Sequence, residues 1–211
     1  MMKVTDIIIF IIAYLLGSIP FSVIIGKVFF NTDVRKHGSG NPGATNTLRT
    51  LGVKAGIFVL ILDVLKGFIA VLLAKYFGTW QGVTDSHLDR MTVAGALAIL
   101  GHLFSPFLGF KGGKGVATSM GVIFCLMPWW ASLTVVLVFT TILWISRYVS
   151  LSSILSAFAF TLLTLLFRNG MYIPVIFSIC ITLLIVIKHK DNIIRLMKGE
   201  ENRFVINKKT V

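Results

Sequence analysis

The chain has 211 residues, 56% of them hydrophobic, and a formal net charge of +12. Its mean hydropathy of +0.90 reflects more apolar surface than a soluble domain of this size can bury, which excludes an ordinary soluble protein and predicts an integral membrane protein. The basic residues are not interleaved with aromatic residues on a soluble domain, so the composition argues against nucleic acid as a partner.

The apolar stretches predict an all-α, polytopic membrane helix bundle with about seven transmembrane segments. A helix needs roughly 20 apolar residues to cross a hydrocarbon core that is about 30 Å thick. In chain order the predicted segments are 5–26, 55–77, 91–108, 115–127, 131–146, 150–167 and 172–188. The first lacks a small-residue cleavage pattern and is expected to stay as the first helix. The fourth and fifth are short enough either to cross a thinned bilayer or to re-enter from one side.

The basic residues predict the orientation of these segments. If all seven cross, 15 Lys and Arg residues lie on one side and four on the other. The positive-inside rule then places the N-terminus outside and the C-terminus in the cytoplasm. We expect a single membrane domain, 1–211, whose active-site stretches face the cytoplasm. These stretches are the loops 27–54, 102–118 and 147–153 and the tail 189–211.

The first glycine-rich stretch, GSGNPGATN at 38–46, has the composition of a phosphate-binding loop. Ser39 and the amides of Gly38 and Gly40 are neutral donors, and Arg49 offers a planar fork that matches phosphate oxygens. Further polar groups for the same ligand come from Asn41, Thr45 and Asn46. The alternative is a polar turn whose Asn, Gly and Pro residues only reverse the chain.

The second glycine-rich stretch, KGGKGVAT at 111–118, places two lysines among three glycines beside apolar sequence. Glycine lets backbone N–H groups approach an anion, and lysine adds charge-assisted hydrogen bonds. The predicted phosphate-binding residues are Lys111, Gly112, Gly113, Lys114 and Gly115. The alternative is that both lysines are only topology anchors. His102, just upstream, is expected to be structural.

Two later clusters carry further polar residues. In RYVSLSS at 147–153, Ser150 and Ser152 complete a phosphate cradle or, equally well, cap a helix. In HKDNIIRLMKGEENRF at 189–204, His189 and Asn192 are three residues apart and share one helix face. The competing interpretation of 189–211 is a basic tail bound to anionic lipid headgroups, which we expect at least for Lys208 and Lys209.

Asp63 and Lys66 are charged residues three apart inside the second apolar segment. A lone charge at mid-membrane costs on the order of 2.5–3.5 kcal/mol, so we expect the two to pair in a structural role. A proton or ion relay is the alternative. Cys125 and Cys180 form no metal-ligand pattern, and no metal or cofactor is predicted.

Taken together, GSGNPGATN with Arg49, GHLFSPFLGFKGGKGVAT and HKDNIIRLMKGEE resemble the three motifs of the bacterial acyl-phosphate:glycerol-3-phosphate acyltransferases, the PlsY family. The resemblance covers the whole chain in length, crossing number and motif order. It implies a multi-pass protein of the bacterial plasma membrane. The implied reaction transfers a fatty acyl group from acyl phosphate to the 1-hydroxyl of sn-glycerol 3-phosphate, releasing lysophosphatidic acid and inorganic phosphate.

The resemblance also implies roles for particular residues. Those matching catalytic and phosphate-binding positions are Ser39, Arg49, Lys114, His189 and Asn192. Ser152 matches a serine that helps to hold phosphate, and Glu201 matches an acid with a structural part. The implied partners are the two substrates and membrane lipids, while the oligomeric state is left open.

The residues themselves favour direct transfer without an acyl-enzyme. An acyl phosphate is a mixed anhydride with a good leaving group, and the chain has no HxxxxD, HExxH or GxSxG motif. The proton goes either to His189 or to the acceptor's own phosphate, and the resemblance leans toward the phosphate. Two other classes are weighed against an enzyme: an anion transporter, which predicts an internal repeat that is not seen, and a lipid-binding scaffold, which does not need the Ser, Asn and His placement.

Overall fold

A computed structural model describes residues 2–81, 83, 86–168 and 170–204. Within these ranges the chain is all-α, as predicted, and no strand forms. The helices are α1 (Val4–Ser18), α2 (Phe21–Phe30), α3 (Ala44–Leu51), α4 (Val53–Phe77), α5 (Ser86–Leu103), α6 (Val116–Leu126), α7 (Trp129–Ser146), α8 (Val149–Phe167), α9 (Tyr172–Lys188) and α10 (Lys190–Met197). Short 3₁₀ helices form at Val34–Lys36 and Pro106–Leu108.

The first apolar segment is not the single helix predicted over 5–26. It breaks between α1 and α2, which are bent by 46°. Pro20 occupies the break because its nitrogen carries no hydrogen and cannot continue the helical bonding pattern. The predicted loop 27–54 is also partly helical, since it holds the end of α2, a 3₁₀ helix and α3.

The described helices allow four to six membrane crossings by length and composition. Four single helices meet the requirement, and two bent pairs, α1 with α2 and α9 with α10, add one each if every pair is one span. With 11 residues, α6 reaches only roughly 16 Å at 1.5 Å per residue, which is too short to cross alone. The count of seven and the orientation of both termini therefore stay predictions.

The helices fall into two compact units, and the first contains α1 to α6. Within it α1 packs against α4 and α5, and α4 also contacts α3 and α6. Its centre is built mostly from alanine, with Ile9, Ala13, Ala70, Ala74, Ala94 and Ala98 forming one buried cluster. Small side chains allow membrane helices to approach closely. Because the helices are held close together, the ends of the loops that join them are held in place as well.

The second unit contains α7 to α10. Helix α8 packs between α7 and α9, and α10 contacts both α8 and α9. Hydroxyl groups join α8 to α9: Thr182 donates to the Ala157 carbonyl at 2.9 Å and lies 2.8 Å from the Thr161 hydroxyl. Such bonds stabilise helix pairs where apolar surfaces face lipid. The chain was predicted to form a single membrane domain over 1–211, and this stays a prediction although the helices divide into two compact units.

Candidate active site

Asn46 determines the shape of the first glycine-rich loop. Its side-chain oxygen accepts the Ser39 N–H at 2.8 Å, and its amide nitrogen donates to the carbonyls of Val34 at 2.7 Å and His37 at 3.1 Å. Gly38 has φ +59° there, and a Cβ would lie 2.4 Å from the Asn46 oxygen, so only glycine fits. Because both amide hydrogens are used, Asn46 holds the loop, whereas the sequence predicted that it binds phosphate.

The loop begins at a surface ion pair that precedes the glycines. Asp33 accepts the Arg35 backbone N–H and both side-chain bonds of Arg35, at 2.9 Å and 2.6 Å. These hydrogen bonds from Arg35 hold the pKa of the Asp33 carboxyl well below its usual range. Arg35 therefore closes the turn ahead of the glycines.

In the second glycine-rich loop, two amides bond back to the end of α5. The Gly112 N–H donates to the Leu103 carbonyl at 3.1 Å, and the Gly113 N–H to the His102 carbonyl at 3.0 Å. The Gly40 N–H of the first loop is likewise used, donating to the His37 carbonyl at 3.0 Å. These three amides were predicted to bind phosphate. In this structure their hydrogens are used within the protein, and their binding of phosphate stays a prediction.

The predicted side chains of the two loops differ in exposure. Ser39, Arg49 and Lys111 are exposed, whereas Asn41, Thr45 and Lys114 are half-buried. Gly115 is buried with φ +80° immediately before α6. The polar groups near the surface thus include two lysines, one arginine and three neutral side chains. Together they can bind a phosphate by charge and by hydrogen bonds.

The two loops lie against each other within the first unit. A Cβ on Gly113 would lie 3.1 Å from the Pro42 carbonyl oxygen. Pro42 and Gly113 also line one small pocket together with Asp63, Lys66 and His102, with roughly the room of one water molecule. The loops are separated by about 70 residues in sequence, yet they meet, as a shared site requires.

A buried charged cluster lies beneath this meeting point. Lys66 and Asp63 pair at 2.8 Å, which confirms the predicted pairing. The Lys66 ammonium also donates to the Ile19 carbonyl at 2.9 Å. His102 Nδ1 lies 3.7 Å from Asp63 Oδ1 and 3.2 Å from the Thr118 hydroxyl. His102 is buried beside these groups, which agrees with a structural part.

In the second unit, the Glu201 carboxylate accepts hydrogen bonds from three side chains on two helices, α8 and α10. One oxygen accepts from the Ser150 hydroxyl at 2.9 Å and from the Asn192 amide at 2.7 Å, and the other accepts from Arg195 Nε at 2.8 Å. Burial opposes ionisation, but these hydrogen bonds outweigh it and keep the pKa of Glu201 below its ordinary value. Glu201 therefore stabilises this unit, the structural part that the resemblance implies.

The serines of 147–153 bond within the second unit. Ser150 donates its only hydroxyl hydrogen to Glu201, and Ser152 donates to the Tyr148 carbonyl at 2.8 Å. Both side chains are buried. The sequence predicted phosphate binding or helix capping for them. The structure instead uses Ser150 to hold Glu201 and Ser152 to back-bond along α8.

His189 lies at the bend between α9 and α10, which is 59°. Its Nδ1 bonds the Ile185 carbonyl at 2.8 Å, and because a carbonyl only accepts, Nδ1 carries the hydrogen. In the neutral ring the lone pair is then on Nε2. Both His189 and Asn192 are buried within this unit.

Three features of the site have no motif in the sequence. They are the bonding of Asn46 within its own loop, the contact between Pro42 and Gly113, and the bond from Lys66 to Ile19. Pro20 in the first apolar segment and Lys66 in the second were the available signals, because a proline break leaves a carbonyl that needs a donor. Among the described residues, no group of three or more His, Cys, Asp and Glu could hold a metal.

Known proteins resemble this chain over nearly its full length. A family model described as glycerol-3-phosphate acyltransferase matches residues 7–199. The glycerol-3-phosphate acyltransferase of Listeria welshimeri is 46% identical over 200 residues, covering 95% of this chain and 97% of that protein. That of Staphylococcus saprophyticus is 44% identical, covering 92% and 96%.

Solved structures show the same fold. A crystal structure of PlsY, an integral membrane glycerol 3-phosphate acyltransferase, in its glycerol 3-phosphate form has a TM-score of 0.85 and 42% identity, covering 95% of this chain and 96% of that chain. The lysophosphatidic acid form of PlsY has a TM-score of 0.82 and 41% identity, with the same coverage.

Proposed function

This chain belongs to the glycerol-3-phosphate acyltransferase family, and we propose that its acyl donor is an acyl phosphate. It is a multi-pass membrane acyltransferase that acts on glycerol 3-phosphate. The proposed reaction moves a fatty acyl group to the 1-hydroxyl of sn-glycerol 3-phosphate. Its products are lysophosphatidic acid and inorganic phosphate, as in the first acylation step of phospholipid synthesis.

Family membership also supports a proposed location. The compared relatives are bacterial, and we place this chain in the bacterial plasma membrane. We place both glycine-rich loops on the cytoplasmic side, where a soluble, doubly charged acceptor meets a lipid-tailed donor. The distribution of basic residues supports this side by the positive-inside rule.

The contact between the two glycine-rich loops carries the proposal. The reaction needs two phosphorylated substrates side by side, and the Pro42 carbonyl beside Gly113 brings two cation-bearing loops together. We assign phosphate binding to Ser39 and Arg49 in the first loop and to Lys111 and Lys114 in the second. The attraction between a lysine and a phosphate is stronger where burial excludes water, because the local dielectric constant is lower. Lys114 is half-buried and therefore in the more favourable environment.

The proposed chemistry is direct attack. The hydroxyl oxygen of glycerol 3-phosphate forms a bond to the acyl carbonyl carbon, and the bond from that carbon to the phosphate oxygen breaks. The phosphate departs with the electron pair, while the hydroxyl proton moves to the phosphate of glycerol 3-phosphate. Lys114 stabilises the negative charge that develops on the leaving group.

In the second unit we assign His189 and Asn192 to orienting substrate groups. The Nδ1 bond to the Ile185 carbonyl fixes the ring, and the Asn192 bond to Glu201 fixes the amide. Preorganised groups of this kind lower the barrier because they need no rearrangement during the reaction. In this assignment Ser150, Ser152 and Glu201 hold those groups in place and do not touch substrate.

Acyl transfer by the purified protein tests the proposal. The protein is given synthetic acyl phosphate and glycerol 3-phosphate, and phosphate release is followed together with formation of lysophosphatidic acid. Acyl-CoA serves as the control donor. We expect both products to form in equal amounts with acyl phosphate. Product formation only with acyl-CoA would overturn the donor assignment.

Replacing Lys114 tests its assigned role in the same assay. Lys114→Met removes the cation, and loss of one preorganised donor of this kind lowers kcat by about 10²–10³-fold. Lys54→Met removes an exposed lysine at the start of α4 and is the matched control. Equal activity of the two variants would remove Lys114 from the mechanism.

A further inference from the structure

The break between α1 and α2 leaves carbonyl groups that need donors. Beyond Pro20 the helical pattern restarts at Phe21, so the Ser18 and Ile19 carbonyls lie at the break between the two helices. The Ile19 carbonyl accepts a short-range bond from the Phe21 N–H at 3.2 Å and has room for a second donor. Inside a membrane an unsatisfied carbonyl is costly, and neighbouring side chains must replace the lost bonds. Ser105 donates to the Ser18 carbonyl at 2.6 Å, and Lys66 donates to the Ile19 carbonyl at 2.9 Å.

One donor, Ser105, directly precedes the second glycine-rich loop, and the other, Lys66 of α4, reaches the residues before that loop through Asp63. Ser105 follows α5 and begins the turn before the loop, because its own carbonyl accepts the Phe110 N–H at 2.8 Å. Lys66 acts through Asp63, its partner at 2.8 Å, whose Oδ1 faces His102 Nδ1 at 3.7 Å. The helix break is thus linked to the residues that carry the loop.

His102 connects the buried pair to the loop, because both its backbone and its ring contact Gly113. Its carbonyl accepts the Gly113 N–H at 3.0 Å. Its ring fills the space beside the same glycine, where a Cβ would lie 2.3 Å from Nε2. A shift of the imidazole would therefore displace the loop residue next to Lys114.

We propose that Asp63 and Lys66 are positioning residues. They fix the position of the second glycine-rich loop relative to the α1–α2 break, and they do so through His102. This inference rests on the proposed function for its kinetic consequence but not for its structural one. It assigns the buried pair a task besides neutralising two charges in the membrane. It also explains why the lysine reaches a backbone carbonyl 47 residues away.

A charged pair at this place fixes the positions of its neighbours, because it supplies a hydrogen-bond donor and an acceptor that an apolar pair lacks. Removing one partner of a buried pair leaves an uncompensated charge and is strongly destabilising, whereas removing both is often neutral for stability. An apolar pair would therefore fold, but it would supply neither a donor for the Ile19 carbonyl nor an acceptor facing His102. Stability and loop position can be separated by experiment on this basis.

The test uses the full-length protein in detergent with the apolar double variant D63L/K66M and the single variant K66M. We expect the double variant to keep a Tm close to that of the wild type. We expect hydrogen–deuterium exchange of peptides covering 108–115 to become about tenfold faster, because the loop loses its support. The KM for at least one phosphorylated substrate should rise about tenfold, since a displaced loop weakens substrate positioning.

Arg90→Met is the matched control. Arg90 is also buried and also donates to backbone carbonyls, those of Ala74 at 3.0 Å and Lys75 at 3.2 Å. It lies about 18 Å from His102 along α5. We expect this variant to lower Tm while KM and exchange of the 108–115 peptides stay at wild-type values.

Two outcomes are decisive. Wild-type KM together with wild-type exchange of the 108–115 peptides in D63L/K66M would overturn the inference, because the pair would then serve folding alone. If the wild-type protein transfers no acyl group, the proposed function fails, and the exchange measurement still decides the inference. Should K66M not fold, the double variant supplies both measurements.

Discussion

Single buried polar side chains hold the loops of the first unit in place. Asn46 uses its oxygen and both amide hydrogens on three backbone groups of one loop. Ser39, whose N–H Asn46 accepts, is thereby presented at the surface. A residue that resembles a ligand-binding asparagine in sequence thus works as the internal support of the groups that do face solvent.

Replacing Asn46 should destabilise the first unit. Asn46→Ala removes the hydrogen bonds to the Val34 and His37 carbonyls and to the Ser39 N–H, and each such bond contributes about 0.5–1.5 kcal/mol. We expect a lower Tm and a weaker affinity for glycerol 3-phosphate. Thermal unfolding in detergent and steady-state kinetics measure both. Gln81→Ala, which removes an exposed amide, is the control, and an equal Tm for the two variants would contradict this role.

His189 tests where the proton goes. The Nδ1 bond to Ile185 leaves Nε2 as the basic nitrogen of the neutral ring. If the substrate phosphate is the base, His189→Ala lowers kcat but leaves the shape of the pH–rate profile unchanged. The profile of kcat/KM measured between about pH 5 and about pH 9 checks this. Loss of an acidic limb in the variant would assign the proton to the histidine instead.

Among the helices, the two bent pairs place polar backbone and side-chain groups where the apolar helices end. The break at Pro20 presents carbonyls to Lys66 and Ser105, and the bend between α9 and α10 places His189 at a helix junction. In the second unit, Glu201 then joins α10 to the start of α8. Each bend is stabilised by side chains from other elements, because backbone groups at a break need new partners.

The Glu201 junction should make stability depend on pH. The folded pKa of Glu201 lies below its ordinary value of 4.5. Ionised Glu201 therefore stabilises the protein above pH 4.5, and this contribution is lost as pH falls through the lower, folded pKa. Glu201→Gln should cost about 1.5–3 kcal/mol at neutral pH, because bonds to a charged acceptor are lost.

Thermal unfolding across the pH range checks this expectation. The Tm difference between wild type and Glu201→Gln should shrink as pH falls below 4.5. The neighbouring Glu200 is exposed, and Glu200→Gln is the matched control with an expected wild-type Tm. A Tm difference between wild type and Glu201→Gln that stays constant with pH would show that the carboxylate charge does not stabilise this junction.

At the scale of the whole molecule, charge and hydropathy describe a membrane acyltransferase, and the positive-inside rule predicts that its motif-bearing loops face the cytoplasm. The helices expose leucine, isoleucine and phenylalanine side chains, such as Leu137, Leu162 and Phe158, as expected for surfaces that face lipid. Basic residues gather in the loops and the tail that carry the motifs.

Cysteine labelling tests the predicted side of the loops. In a background with Cys125 and Cys180 replaced by Ala, single cysteines are introduced as Lys36→Cys, Phe110→Cys and Gln81→Cys, all at exposed positions. A maleimide that does not cross membranes should label Gln81→Cys in intact cells, and the other two only after the cells are opened. Labelling of the first two positions from outside would contradict the cytoplasmic assignment that the positive-inside rule gives.

Much of this protein was predictable because hydropathy and motif spacing are local properties of a chain. The bounds of α4, α7, α8 and α9 agree with the predicted segments to within two residues. The single helix expected over 5–26 was wrong because Pro20 breaks it, whereas a crossing by the bent pair of α1 and α2 stays a prediction. The residue types of the site were named, but not which of them use their hydrogens inside the protein.

By itself the sequence determined an all-α membrane protein, its family and the residue types near the proposed chemistry, since apolar length and motif order require no knowledge of distant contacts. Only the tertiary structure decided that Asn46, Ser150 and Ser152 bond internally, that Lys66 reaches Ile19, and that the two glycine-rich loops meet. These facts depend on partners far apart in the chain, and hydrogen bonds between such partners follow from packing, which no single stretch encodes.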